Sequence, residues 1–269
     1  MIKIPCFHVD AFADKSFRGN PAAICLLDAW LADATLQNIA AENNLPETAF
    51  IVPRGNEFEL RWFSPTVEVD LCGHATLAAA AVLFTERNFS GDTIRFHSRS
   101  GLLPVSRVGE VFTLDFPARP PGTCEPPEAL LRGLGRRPSS VFKSRDYLAV
   151  FATEAEVRSL APDFTALKTL DCLGIIATAP GDDCDFVSRF FAPAAGIDED
   201  PVTDSAHCTL VPYWSQQLGK MTLFARQVSR RGGELFCRRA GNRVHMGGKA
   251  VLYLRGEIVL DNTATIHQK

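Results

Sequence analysis

The chain has no block of five or more lysines and arginines; its basic clusters are no more than pairs, such as Arg230-Arg231 and Arg238-Arg239. A nucleic-acid footprint draws on a clustered basic face, so that partner is not expected, and the formal net charge of -3 points the same way. Long hydrophobic runs are missing too. The longest, Leu77 to Phe84, falls far short of the roughly 18 apolar residues of a membrane span. The opening Met1-Ile-Lys-Ile-Pro-Cys6 carries no apolar stretch of the kind a signal peptide needs. Eight cysteines are present, but none forms a C-x-x-C pair and no Cys/His group has zinc spacing. They read as small core residues of an intracellular protein. The expectations are a cytoplasmic protein with no metal, no cofactor and no membrane or nucleic-acid partner.

What is there suits a buried core. Of 269 residues, 46% are hydrophobic and 22% charged, enough for one large domain or two small ones. Alternating or continuous apolar runs predict strands at Ile4 to Phe12, Ala22 to Leu27, Thr48 to Val52, Phe58 to Phe63, Thr93 to His97, Leu102 to Val108 and Val111 to Asp115. Helical spacing predicts helices over Asp33 to Glu42 and His74 to Arg87, the second apolar on nearly all sides and so buried. Pro117 to Gly122 is a proline-rich break and the best domain boundary. Beyond it, strands are expected at Tyr147 to Phe151, Gly174 to Thr178 and Asp185 to Phe191. Helices are expected at Glu154 to Leu160 and Ser205 to Leu218. Further strands follow at Met221 to Val228, Glu234 to Cys237, Arg243 to Met246 and Ala250 to Leu254.

The second half repeats the first. Arg61-Trp62-Phe63-Ser64-Pro65 matches Arg189-Phe190-Phe191-Ala192-Pro193, and each is followed by an acidic loop, a small-residue turn and a long helix. Cys72-Gly73-His74-Ala75 then matches Thr203-Asp204-Ser205-Ala206. Two copies of one α+β unit, each wrapping strands around an apolar helix, account for the pattern.

Both long helices begin in loops that could carry chemistry. A helix N-terminus offers unpaired N–H groups and the positive end of the dipole, so it suits a carboxylate or oxyanion; an ordinary capped helix start is the plainer reading, with Asp204 or Ser205 as cap. His74 is either a proton carrier or an exposed polar residue at a helix end. His207, inside an apolar segment, reads as structural. Cys72 beside His74 invites a thiol nucleophile. A two-thiol racemase is disfavoured, because the position matching Cys72 is Thr203 and Cys208 lies a turn away. Glu47, between a helix end and a strand start, is the remaining acid/base candidate; a carboxylate in apolar surroundings can both take and return a proton. Its plainer reading is a solvated glutamate. The run Asp198-Glu199-Asp200 reads as a solvated loop rather than a metal site.

Four motifs occur in order along most of the chain: Asp10-Ala-Phe with Gly19-Asn20-Pro21; Glu47-Thr48-Ala49-Phe50; Cys72-Gly73-His74-Ala75-Thr76; and Asp198 to Thr203 with Ser205-Ala206-His207. Together they resemble the PhzF family of phenazine-biosynthesis-like proteins, which have the diaminopimelate epimerase-like fold. The resemblance implies two pseudo-symmetric domains, each a barrel-like sheet around a central helix. These are 1–118, to which a strand near 256–269 is a candidate to return, and 119–255, with the active site in the cleft between them. It also implies a homodimer and a cofactor-independent isomerase that shifts a proton on a small carboxylic acid, characteristically dihydro-hydroxyanthranilate. By the same resemblance Glu47 is the acid/base, and His74 and Asp200 position or polarise the substrate. Gly73 contributes backbone, and Ser205 and nearby N–H groups hold the substrate carboxylate; Asp204, at the same helix start, and Asn20, in the first motif, are counted with them as substrate-binding residues. Two departures stand out. Asp204 replaces the family's usual glycine and places a negative side chain at the helix start. Pro46 replaces a small polar residue and removes an N–H. A non-catalytic small-acid binding protein and a Cys72 thiol enzyme remain the alternatives.

Overall fold

The computed structural model describes residues 1–261. In chain order the first half contains β1 (Ile2–Ala11), β2 (Asn20–Leu26), α1 (Asp33–Asn43), β3 (Glu47–Arg54), β4 (Glu57–Phe63), β5 (Glu68–Val69), α2 (Gly73–Glu86), β6 (Thr93–Ser98), β7 (Gly101–Val108) and β8 (Val111–Pro117). The second contains β9 (Gly122–Thr123), α3 (Glu128–Leu134), β10 (Ser140–Lys143), β11 (Tyr147–Val150), α4 (Glu154–Arg158), α5 (Phe164–Leu167), β12 (Ile175–Pro180), β13 (Phe186–Ala192), β14 (Ile197–Asp200), α6 (Asp204–Leu218), β15 (Thr222–Gln227), β16 (Gly233–Ala240) and β17 (Arg243–Gly248). A last strand, β18 (Ala250–Leu260), follows. Two compact units result: Met1–Asp115 with the chain from Gly247 onward, and Phe116–Met246. The return to the first unit comes before the boundary near 255 expected from the sequence. The reason is that β18 pairs with β1 along its length, from Ala11 against Ala250 to Ile2 against Leu260. The last part of that expected strand, 262–269, lies outside the described residues.

In the first unit β1 pairs antiparallel with β18 and β2, β2 parallel with β3, β3 antiparallel with β4, β4 parallel with β6, and β6 and β8 both antiparallel with β7. The helix α2 packs on β1, β2, β3, β7 and β18 and is buried from Gly73 through Phe84. Its alanine run keeps it slim enough for strands to approach on several sides. Leu77, Val82, Leu83 and Phe84 each contribute about 1.5–3 kcal/mol of apolar burial. The second unit repeats the ladder: β10 antiparallel to β11, β11 parallel to β12, β12 antiparallel to β13, β13 parallel to β15, β15 antiparallel to β16. Its apolar helix is α6, packed on β15 and β16.

The repeated five-residue motif ends each copy's fourth long strand and does the same work in both. Arg61 donates from Nε and Nη2 to both carboxylate oxygens of Glu68 at 2.7 and 2.8 Å, and Arg189 does so to Glu199 at 2.7 and 2.9 Å. Each guanidinium also lies over the phenylalanine two residues on, Phe63 or Phe191. The acidic run at 198–200 is therefore no solvated loop: it forms β14, and Glu199 is the anchor of Arg189. The short elements β5, β9, β10, α3 and α5 are the other additions to what the sequence pattern predicts.

Candidate active site

The first constellation lies in the N-terminal unit. Asn44, at φ 47°, ends α1 in a left-handed turn and its N–H bonds Ala40 O; asparagine tolerates that conformation better than most residues. Asn43 reaches across to the hydroxyl of Thr48 at 3.1 Å. The turn thereby delivers Glu47 as the first residue of β3, with Ala22 of β2 beside it. Asn20 opens β2, fully buried. The residue before it must be glycine: Gly19 has φ 64°, and a Cβ there would sit 2.0 Å from Ala11 O. At the start of α2, Cys72 is the N-cap, Gly73 the first helical residue and His74 the second.

These side chains converge. His74 Nε2 lies 3.1 Å from Glu47 Oε2, and the Asn20 amide nitrogen meets His74 Nδ1 at 3.3 Å. Cys72 Sγ is 3.5 Å from Nδ1 and 3.9 Å from Nε2. His74 is 4% exposed. Burial acts against its charge, yet Cys72 and Glu47 beside it outweigh that and hold the imidazole well above its ordinary pKa. When Nδ1 is protonated, the Asn20 amide presents its oxygen by turning over. Glu47, Cys72 and His74 also offer carboxylate, thiol and imidazole atoms that all lie within 4.8 Å of one another, a donor set able to hold a metal ion. Sequence spacing gave no sign of it, because two donors lie at the start of α2 and the third, Glu47, comes from β3.

The second constellation is the start of α6. Thr203, the N-cap, donates its hydroxyl to Asp200 Oδ2 at 2.5 Å, and its N–H donates to Gln227 Oε1 at 2.9 Å. Gln227 Nε2 returns to Asp200 O at 2.7 Å. Ser205 Oγ accepts from Arg145 Nη2 at 2.9 Å, and the same guanidinium is paired with buried Asp146, 1% exposed, which accepts the Gly174 N–H at 3.1 Å. Asp204 is buried at the first helical position, where a carboxylate complements the dipole. His207 is structural, as its sequence context suggested: Nδ1–H donates to Thr203 O at 2.7 Å, and burial lowers its pKa to about 4.

The structure thus groups Glu47, His74 and Asn20 with Gly73 in the first unit, and Asp200, Asp204 and Ser205 in the second. Sequence reasoning missed Arg145, Asp146 and Gln227. The one available signal was the Arg145-Asp146 pair immediately before a predicted strand. A cavity of about 630 Å³ on the N-terminal unit is lined by Ile4, Leu27, Ile51, Phe58 and Leu83, and none of the grouped residues borders it. Among the described residues no helix is long and apolar enough to cross a membrane.

A hydroxyproline epimerase from Agrobacterium vitis shares the architecture at TM-score 0.61 and 9% identity, covering 97% of this chain and 94% of that one, which shows the fold alone. The crystal structure of a PhzF-family phenazine biosynthesis protein from Enterococcus faecalis superposes at TM-score 0.95 with 48% identity, covering 96% of this chain and 100% of that one. An uncharacterized isomerase of Pseudomonas aeruginosa is 52% identical over 259 residues, 96% of this chain and 100% of that protein. The chain is an enzyme of the isomerase class with the epimerase-like α+β fold. The phenazine biosynthesis-like protein family model matches residues 9–256, and the chain belongs to that family.

Proposed function

We propose that this enzyme moves a proton on a small cyclic or amino carboxylic acid without a cofactor, with Glu47 as general acid and base. The observation that carries the reading is the 3.1 Å pair between Glu47 Oε2 and His74 Nε2 at a helix start. Glu47 takes the proton from the substrate carbon and returns it at a second position. The His74 imidazolium, held charged by its neighbours, donates toward the negative charge that develops in between. Positioned acid–base groups contribute about 10²–10⁴-fold to rate. Gly73 offers backbone N–H and Asn20 keeps the imidazole oriented. Asp200, Asp204 and Ser205 bind the polar groups of the substrate, and Arg145 orients the Ser205 hydroxyl. Asp204, in place of the family's usual glycine, shifts the preferred substrate away from dihydro-hydroxyanthranilate and toward one carrying a positive or neutral group at that end.

The test is hydrogen exchange followed by NMR in D2O. Wild type and Glu47→Gln are incubated with cyclic β-hydroxy amino acids and unsaturated carboxylic acids, dihydro-hydroxyanthranilate included. Deuterium entering carbon with wild type only supports the reading; full turnover by Glu47→Gln sinks it. A second reading, a Cys72 thiol enzyme, is favoured by the 3.5 Å contact from Cys72 Sγ to His74 Nδ1. It requires that Cys72→Ala be inactive.

A further inference from the structure

Two cysteines outside the site face each other across β1 and β2. Cys6 is directly opposite Cys25 in the antiparallel register, and the Cys25 thiol points at Cys6 Sγ from 3.8 Å. Directly opposed residues in an antiparallel pair have Cα atoms about 4.5 or 5.5 Å apart, and both spacings fall within the range a disulfide spans. Neither proton-transfer chemistry nor the helix starts use these residues.

Their surroundings are unequal, and the inequality assigns roles. On its other flank Cys6 faces Gly256 of β18, an exposed residue with no side chain. A Cβ placed there would meet only Leu254 Cδ2, at 3.7 Å, so open space adjoins Cys6 on the side away from Cys25. Glycine inside a strand commonly marks such an approach. His8, half-buried, follows two positions along β1 and so shares the face of Cys6; a bulge in the β1–β18 ladder falls immediately after it, between His8 and Val9. Cys25 is fully enclosed, whereas Cys6 keeps 4% exposure. The Cys25 hydrogen bond, against the cost of burial and with help from His8, lowers the Cys6 thiol to about 6, while the same bond and burial push Cys25 well above the usual thiol range. Cys6 is the nucleophile and Cys25 the reserve thiol.

We infer that Cys6 and Cys25 form a hydroperoxide-sensitive dithiol, in which Cys6 is oxidised through the gap beside Gly256 and Cys25 resolves it to a disulfide. The Cys6 thiolate attacks the terminal oxygen of the hydroperoxide, and the O–O bond breaks. The departing alkoxide, or hydroxide from hydrogen peroxide, takes up the proton that Cys6 lost. Cys6 is then a sulfenic acid. Cys25 gives up its proton and attacks that sulfur, the S–O bond breaks, and the hydroxyl leaves as water. Two thiols have lost two electrons and one hydroperoxide has gained them.

The test treats the full-length protein with a small excess of hydrogen peroxide, blocks remaining thiols by alkylation, and maps peptides by mass spectrometry. The expected product links the Cys6 and Cys25 peptides with the loss of two hydrogens, and dithiothreitol reverses it. In Cys25→Ser, dimedone should tag Cys6. Gly256→Val, at an exposed site with room for the side chain, should fold normally and form the bridge several-fold more slowly. It keeps the inference testable where Cys25→Ser fails to fold. Full alkylation of both Cys6 and Cys25 once Cys124 and Cys172 have been oxidised would overturn the proposal. So would a Gly256→Val variant that forms the bridge at the wild-type rate.

Discussion

The two halves of the chain share a ladder, an anchored arginine and a buried helix, but not the same chemistry. Thr48 faces Phe63 across β3 and β4, and Ile175 faces Phe191 across β12 and β13. With the repeated motif as the key, Glu47 is equivalent to Gly174, Cys72 to Thr203, Gly73 to Asp204, His74 to Ser205 and Thr76 to His207. One half carries thiol and imidazole at its helix start, with the Glu47 carboxylate of β3 beside them. The other carries hydroxyls and carboxylates fixed by Arg145 and Gln227. The lesson is that the two halves share what holds the backbone and differ around their helix starts, one with a carboxylate, thiol and imidazole close together and the other with side chains tied to Arg145 and Gln227. Gly174 shows how far the difference goes. A Cβ there would lie 2.1 Å from the Phe190 ring, so the second half has filled the place where the first keeps its glutamate side chain.

The sharpest way to break this contrast is to remove the carboxylate. Glu47→Gln is nearly isosteric and should lower carbon–hydrogen exchange by about 10³-fold or more while leaving the melting temperature close to wild type. His74→Ser gives the first half the residue of the second and should cost about 10²-fold. The wild-type rate should also fall at alkaline pH. The His74 pKa is raised, so its proton is held past the ordinary imidazole value and lost only as pH climbs through the raised one. His74→Ser should lack that decline. If the variant unfolds, His74 is structural and the assignment fails.

The repeat itself was readable because an arginine, an aromatic pair and a proline sit at the same point of both ladders, and a bidentate ion pair tolerates little change of residue type. The buried helices were readable from their apolar content. The acidic strand β14 was not, because Asp198-Glu199-Asp200 has the composition of a solvated loop and only the distant Arg189 gives Glu199 a reason to be ordered. The same holds for the site. Glu47 and His74 meet only because β3 and the start of α2 lie side by side in the fold, and nothing local to either announces the other. Arg145 and Ser205 are farther apart still in sequence. α5 escaped for another reason: four residues capped by Asp163 leave too little pattern to detect.

His207 sharpens the comparison through stability. Thr76 and His207 each donate to the carbonyl of their own helix cap, Cys72 O and Thr203 O, at 2.5 and 2.7 Å. Only the second titrates. Its folded pKa is about 4 against the ordinary 6.5. The unfolded chain therefore takes up a proton that the folded chain refuses, and stability present above pH 6.5 drains away as pH falls toward 4. The expected loss is about 3 kcal/mol, measured by urea unfolding at stepwise pH. His207→Thr should flatten that part of the curve. An unchanged pH dependence would show that His207 is not its source.

Gly174→Ala tests whether the second half has closed its acid position. The added methyl must displace the Phe190 ring, and overpacking of this kind costs about 1–3 kcal/mol. Denaturant unfolding should register the loss. No loss at all would mean that Phe190 yields freely and that the position is still open.

The smallest effect is expected from Cys72→Ala, and it separates the two readings of the first half. Cys72 is buried at 7% exposure, so losing its sulfur leaves a small cavity worth about 1 kcal/mol. The Glu47–His74 pair does not pass through it. The imidazole still has Glu47 at 3.1 Å and Asn20 at 3.3 Å. It does lose one of the two neighbours that raise its pKa, so the alkaline decline should move to lower pH while exchange at neutral pH stays within about 10-fold of wild type. Alkylation should inactivate neither protein by chemistry, only by bulk where a reagent reaches the site. A dead Cys72→Ala with an intact fold would transfer the catalytic role from the carboxylate to the thiol. The difference between the halves would then be Cys72 against Thr203 rather than Glu47 against Gly174.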